Sequence, residues 1–373
     1  MEELRLMKGN EAIAEAAIRA GCDGYFGYPI TPQSEVMEYL MKERPENRTG
    51  MVVLQAESEL AAINMVYGGA CCGKRVMTSS SSPGFSLKQE GISYMAGAEL
   101  PCLILNVVRG GPGLGTIQPA QSDYFQSTKG GGHGDYRLIV LAPSSVQEMA
   151  DFVALAFDLA FKYRMPSLIL SDGVIGQMME KVVLPEQRPR FTEAEIRKNT
   201  PWATVGKTPD REHNIITSLD MDAASQERHV LHLQEKYNAV EENEVRFEEI
   251  QCEDAEYIFV AYGSCARICQ KAVDLARAKG IKVGLLRPIT LFPFPKKEIA
   301  RLAERAKGFL SVEMSLGQMV EDVRLAVNGK TKVEFYGRVG GIIPNPDFTQ
   351  ACQHKVDKKT YFLYMHVFLH AYM

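Results

Sequence analysis

Two hydrophobic periods alternate along the first half of the chain. Apolar runs at 24–28, 51–54, 75–78, 102–108, 138–141 and 167–170 predict strands. Between them, apolar residues recur at helical spacing over 10–20, 32–42, 57–70, 85–98 and 145–163. Asn10 is a candidate N-cap and Gly21 a candidate stop for the first helix, and Ser144 or Ser145 suits the cap of the last. In the helix over 57–70, Leu60, Ile63, Met65 and Val66 are available for burial. Strand and helix in turn predict a parallel sheet covered on both faces.

The pattern changes from about Val182 to Asp254. This stretch opens with Pro185 and Pro189, turns polar, and contains a predicted long exposed helix over 226–249. It reads as an interdomain connection. A second strand–helix series follows, with strands over 257–261, 283–286, 309–312 and 333–336 and a helix from Gly263 to a stop at Gly280. Pro288, Pro293 and Pro295 punctuate one long connection within it. No internal repeat is visible.

Composition narrows the function classes. A chain of 373 residues exceeds one ordinary core, so two domains are expected. Hydrophobic residues at 46% and charged residues at 24% describe a globular protein, and a net charge of -4 gives no support for a nucleic-acid partner or an anionic membrane surface. Met1–Arg5 lacks the basic segment and apolar run of a signal peptide, and the apolar run 361–373 is too short to span a bilayer. The eight cysteines include no C-x-x-C, so no zinc or iron–sulfur site is indicated and a reducing cytoplasm is expected. Cys265 and Cys269 share one helix face and read as buried thiols.

Four clusters have the residue types for chemistry. In Tyr28-Pro29-Ile30-Thr31-Pro32, the prolines extend the chain and open a helix with Thr31 at its N-cap, where negative charge is favoured. Thr31 either receives a carboxylate or only caps its helix. In Gln55-Ala56-Glu57-Ser58-Glu59, two acids open an apolar helix, either to complement its dipole or as a carboxylate in an apolar site. The turn Thr78-Ser79-Ser80-Ser81-Ser82-Pro83-Gly84-Phe85 is crowded with hydroxyl and N–H groups that suit an anion, a heterocycle or local turns. Arg109-Gly110-Gly111-Pro112-Gly113-Leu114-Gly115 follows a strand, where an arginine can hold a carboxylate bidentately. The long loop beyond it ends at His133-Gly134-Asp135, which makes His133 and Asp135 further candidates beside a plain surface reading. Ser171-Asp172-Gly173 with Asn199 only imitates a diphosphate–metal motif, since its first glycine is serine and Pro185 and Pro189 interrupt the span.

These motifs, in this order and spacing, resemble the alpha subunit of the 2-oxoacid:ferredoxin oxidoreductases. Leu286-Arg287-Pro288-Ile289-Thr290-Leu291-Phe292-Pro293-Phe294-Pro295 resembles the transketolase C-terminal-like domain of the same subunit. The resemblance spans roughly residues 5 to 345. It implies an α/β fold with a pyrimidine-type thiamine diphosphate-binding domain over 1–181, a connection over 182–254, a transketolase C-terminal-like domain over 255–345 and a tail over 346–373. It further implies oxidative decarboxylation of a 2-oxoacid with thiamine diphosphate, electron transfer to iron–sulfur clusters and acyl transfer to coenzyme A. By motif position, Glu59, with Glu57 as the near alternative, matches the glutamate at the aminopyrimidine. Ser80, Ser81 and Pro83 match cofactor contacts, and Thr31 and Arg109 match the holders of the substrate carboxylate. Mg2+ and the clusters are expected on partners: a beta subunit carrying the diphosphate-binding domain, and small ferredoxin-like and gamma subunits, with ferredoxin as acceptor. Pro112-Gly113-Leu114-Gly115 stands where the 2-oxoglutarate type usually has Pro-Ser-Thr-Gly, which favours the 2-oxoisovalerate branch over 2-oxoglutarate. A scaffold subunit that keeps the fold is the non-catalytic alternative.

Overall fold

The structure, a computed structural model, describes residues 3–207, 209 and 212–345, and the tail from 346 lies outside them. The strands are β1 (Glu3–Lys8), β2 (Gly24–Gly27), β3 (Val52–Gln55), β4 (Val76–Ser80), β5 (Leu103–Val108), β6 (Ile139–Leu141), β7 (Ser167–Asp172), β8 (Met179–Leu184), β9 (Phe247–Ile250), β10 (Tyr257–Val260), β11 (Val283–Pro288), β12 (Thr290–Phe292), β13 (Gly308–Glu313) and β14 (Lys332–Gly337). A seven-stranded sheet runs β12-β6-β7-β5-β4-β2-β3, and a five-stranded sheet runs β14-β13-β10-β11-β9. Both are parallel except for one antiparallel edge strand each, β12 and β9. Strands β1 and β8 form a small antiparallel ladder.

Alternation along each strand explains the layers. Leu103, Leu105 and Val107 of β5 pack with the helices Gly9–Arg19 and Val146–Tyr163 on one face. Cys102, Ile104 and Val108 face the other way, against Ile63, Val66, Phe85 and Met95. Strands buried on both faces read as continuous apolar runs, which is why the sequence predicts them. Phe259, Leu285 and Leu310 of the second sheet pack on the helix Gly263–Arg277, where Cys265 and Cys269 are buried on one face as expected. Burial pushes both thiols well up. Among the described residues no helix is long and apolar enough to cross a membrane.

Several elements differ from the expectation. Asn10 lies inside its helix, buried, with Nδ2 donating to the Pro32 carbonyl (2.7 Å), while Lys8 takes the cap position. The helix after Pro32 begins at Ser34 with Gln33 as N-cap, so Thr31 caps nothing. Leu60 is exposed, whereas Ile63 and Val66 are buried. The helix expected over 85–98 is two, Ser82–Leu87 and Gln89–Gly97, broken at Lys88. The long helix of the polar stretch spans Ala223–Asn243 and buries Leu233, Tyr237 and Val240. Its expected last turn is instead β9, because β11 offers a free edge whose ladder bonds outweigh the helix propensity of the glutamates. β1, β8 and β12 are short strands whose pairing partners are distant in sequence.

Among the contacts that join the sheets, β12, Arg287 and Asp172 are central. β12, from the proline-punctuated connection, pairs with β6 and so extends the first sheet. Arg287 is buried and donates to both Glu148 carboxylate oxygens (2.8 and 2.7 Å) and to Glu248 (2.9 Å). Burial works against the Glu148 charge, yet Arg287 outweighs it and holds that carboxyl below its ordinary range. Asp172, at the end of β7, is also buried. Its Oδ1 accepts from Val174 N (3.0 Å) and Ile175 N (3.2 Å), and its Oδ2 accepts from Ser264 N (3.0 Å) and Oγ (2.8 Å). It therefore caps one helix in the first unit and another in the second. Gly263 has φ 58°, and a Cβ there would stand 2.8 Å from Asp172 Oδ2, so a side chain is excluded. With both oxygens engaged, Asp172 has no capacity for a diphosphate–metal role. Asp172→Ala orphans these buried donors, and a loss of about 3 kcal/mol in denaturant unfolding is expected.

Candidate active site

Parallel pairing sends the carboxyl ends of β2, β3, β4 and β5 to one edge of the large sheet. The four sequence clusters follow those four strands, so all of them open at that edge. β2 is flanked by β3 on one side and β4 on the other, so the chain reverses its winding there and leaves a crevice beyond the strand ends.

Glu59 is the first residue of the helix Glu59–Cys71, and Ser58 is its N-cap, with Oγ accepting from Ala61 N (3.2 Å). The cap turns Glu59 inward, 7% exposed, and leaves Glu57 exposed in solvent before the helix begins. The Glu59 carboxylate and the Ser80 hydroxyl both lie against Gly84, where a methyl group would collide with both. Ser81 is the N-cap position of the helix Ser82–Leu87, with Pro83 in its first turn. The buried hydroxyls of Thr78, Ser80 and Ser81 have no hydrogen-bond partner. Buried hydroxyls are ordinarily satisfied, so three together mark a surface that is incomplete by itself.

Arg109 follows β5 and is 8% exposed. Its Nη1 donates to the Thr31 carbonyl (3.0 Å) and its Nη2 to the Leu114 carbonyl (3.1 Å), while the buried Nε has no partner. Arg109 and Thr31 are thus brought together across the crevice, through the threonine main chain, with Thr31 itself exposed at the mouth. Ser82 Oγ accepts from Arg109 N (3.1 Å) and donates to Asp123 (2.7 Å), which Asn106 Nδ2 also reaches (2.9 Å). Burial pushes the Asp123 carboxyl up against these hydrogen bonds. A cleft of about 590 Å3 opens beside this cluster, lined by Gly110, Pro112, Asp123, Ser315 and Val339.

His133 and Asp135 lie elsewhere. Both are exposed in a separate cleft of about 620 Å3, with Tyr67, Tyr94, His229 and Leu233 on its walls. His133 Nδ1 is 3.4 Å from Ser93 Oγ, and its ring meets Tyr94 edge-on at 6.2 Å.

The second sheet closes its own carboxyl edge. Glu313, fully buried at the end of β13, accepts from Gln318 N (3.0 Å), Met319 N (3.0 Å) and Val320 N (2.9 Å), and from the Ser311 and Ser315 hydroxyls (3.0 and 2.9 Å). An anion-accepting helix N-terminus there is filled by the chain's own carboxylate.

Sequence reasoning missed Gly84, Asn106, Asp123 and Lys88. Gly84 stood inside the quoted turn. Lys88 left a signal, a lone cation within an apolar helical pattern. Asn106 and Asp123 left none, because their roles come from contacts across 17 and 41 residues.

The family model for the thiamine diphosphate-binding part of pyruvate flavodoxin/ferredoxin oxidoreductases matches residues 15–251, and that for core domain II of pyruvate:ferredoxin oxidoreductase matches residues 255–348. The ketoisovalerate oxidoreductase subunit VorB of Methanothermobacter marburgensis is 56% identical over 337 residues, 90% of this chain and 93% of that protein. The 2-oxoglutarate synthase subunit KorA of Methanocaldococcus jannaschii is 36% identical over 363 residues, 92% of this chain and 98% of that protein. The solved 2-oxoglutarate:ferredoxin oxidoreductase from Magnetococcus marinus, with 2-oxoglutarate, coenzyme A and succinyl-CoA bound, superposes with a TM-score of 0.81 at 26% identity. The match covers 96% of this chain and 65% of that one. A split-gene transketolase gives 0.57 at 13% identity, a likeness of fold alone. The chain belongs to the family of thiamine diphosphate-dependent 2-oxoacid:ferredoxin oxidoreductase subunits.

Proposed function

We propose that this chain is the subunit that presents the pyrimidine side of thiamine diphosphate in an enzyme oxidising a branched-chain 2-oxoacid, 3-methyl-2-oxobutanoate, to its acyl-CoA and CO2 with reduction of ferredoxin. The observation that carries the substrate is the identity of 56% to the ketoisovalerate subunit against 36% to the 2-oxoglutarate subunit, each over at least 90% of the chain.

The pocket's own groups fit the cofactor. Three buried hydroxyls lack partners, Arg109 Nε is unbonded, and the missing side chain of Gly84 lets the Ser80 hydroxyl and the Glu59 carboxylate close in on its main chain. When bound, thiamine diphosphate supplies the nucleophilic carbon and the electron sink. Glu59 then holds the proton shared with the aminopyrimidine ring nitrogen, from a site shielded from water. Ser80 and Ser81 offer hydroxyls to the heterocycle, and Pro83 with Gly84 shapes the wall behind it. Thr31 and Arg109 face the substrate carboxylate. Two of the five guanidinium N–H groups are engaged by main-chain carbonyls, which leaves donors and the full charge for an anion. Glu57 is exposed, and His133 and Asp135 line a separate cleft, so this reading gives them no role.

We assign Mg2+ and the iron–sulfur clusters to partner subunits. These are a beta subunit carrying the diphosphate-binding domain and small ferredoxin-like and gamma subunits. Coenzyme A is the acyl acceptor, as in the ligands of the Magnetococcus marinus structure. The described cysteines are free thiols, which suits a cytoplasmic enzyme.

The test is dye reduction by the complex assembled with its partner subunits, with thiamine diphosphate, Mg2+, coenzyme A and each 2-oxoacid in turn. The fastest rate is expected with 3-methyl-2-oxobutanoate. A fastest rate with 2-oxoglutarate moves the assignment to that branch, and no reduction by a complex shown to hold its clusters leaves a scaffold role. In the same assay Glu59→Gln is expected to lower turnover about 100-fold or more with assembly intact, and near-normal turnover would remove Glu59 from the chemistry. Arg109→Ala is expected to raise KM for the 2-oxoacid about tenfold with little change in cofactor affinity, and an unchanged KM would place Arg109 outside the substrate site.

A further inference from the structure

Lys88 is a fully buried cation that the proposed chemistry does not use. It stands at the break between the helices Ser82–Leu87 and Gln89–Gly97, and its side chain has no solvent exposure. An ammonium carries three donors. Among the described residues, Lys88 Nζ reaches one acceptor, the main-chain carbonyl of Glu59 at 3.4 Å. That carbonyl lies in the first turn of the helix that carries the Glu59 side chain into the pocket.

The charges around it are few. Glu59 is the carboxylate whose attraction acts on Lys88. Glu57 and Glu90, on the segments before and after the pocket, are exposed in solvent. Tyr67, on the helix of Glu59, and Tyr94, on the helix after Lys88, are phenols whose ionisation is pushed up, so both are neutral near pH 8. Burial drives Lys88 down to about 8 in spite of Glu59. A buried charge with one weak acceptor is costly, and a methionine of similar length would fill the volume at no such cost. A fold optimised only for stability has no use for this ammonium, whereas a carboxylate that must be held in place at the same point does.

We propose that Lys88 is a positioning residue for the thiamine diphosphate site: its buried ammonium grips the first turn of the Glu59 helix through the Glu59 carbonyl and so holds that side chain in place. The proposal rests on the reading of Glu59 as the cofactor's partner. Lys88 touches neither substrate nor reacting atoms and acts through Glu59 alone. Because the ammonium is lost as pH rises through about 8, the grip loosens there.

The experiment is calorimetric titration of the assembled complex with thiamine diphosphate and Mg2+ between pH 6.5 and 9.5, for wild type, Lys88→Met and Glu59→Gln, with thermal unfolding in parallel. In wild type the cofactor affinity is expected to fall about tenfold above pH 8. In Lys88→Met it is expected to be about tenfold weaker at pH 7 and flat through that range, with an unfolding temperature equal to or above wild type. A purely structural lysine would alter unfolding without moving the pH profile. Wild-type affinity and the same alkaline fall in Lys88→Met would overturn the proposal. Wild-type affinity in Glu59→Gln would overturn the reading of Glu59 and this proposal with it. Weak binding in Glu59→Gln beside unchanged binding in Lys88→Met would overturn the role of Lys88 alone.

Discussion

Parallel strand pairing is the constraint from which the site follows. A parallel ladder requires each strand to be followed by a crossover, so every strand ends at the same edge. In this chain the ends of β2, β3, β4 and β5 deliver Thr31, Glu59, the serine turn and Arg109 to one crevice. Helices starting there point main-chain N–H groups and caps at the same space. At that edge the buried hydroxyls of Thr78, Ser80 and Ser81 have no hydrogen-bond partner, where buried polar groups are ordinarily satisfied.

The two sheets treat this edge in opposite ways. In the second, Glu313 takes three main-chain N–H groups and two hydroxyls, leaving little for any ligand. In the first, the corresponding polar groups stay open. Asp172, Arg287 and β12 then lock the sheets together, so the closed unit becomes a wall for the open one. The cleft beside Arg109 is built this way, with Gly110 and Asp123 from the first unit and Ser315 and Val339 from the second.

Stability and function diverge most clearly at Lys88. Break, burial and charge coincide at one residue, where an uninterrupted apolar helix would be the more stable choice. Its contact to the Glu59 carbonyl connects the serine turn's helix pair to the glutamate helix.

The sequence by itself determined the strand–helix alternation, the burial of both faces of β5 and β7, the placement of four polar clusters after strands, and the family through their order. These are local or periodic properties, written in spacing and in residue type. It misplaced Thr31 as a cap, because main-chain geometry around two prolines overrode the local preference for a hydroxyl. It set Glu59 ahead of Glu57 only through the resemblance, because helix phase decides which carboxylate enters the core, and Ser58 sets that phase only once the helix has formed. β9 and β12 were illegible for a related reason, since an edge strand is made by the neighbour it pairs with. Tertiary structure alone brought Arg109 to the Thr31 carbonyl, Asp123 to Asn106 and Ser82, and Lys88 beneath Glu59, because these contacts join groups that no periodicity relates.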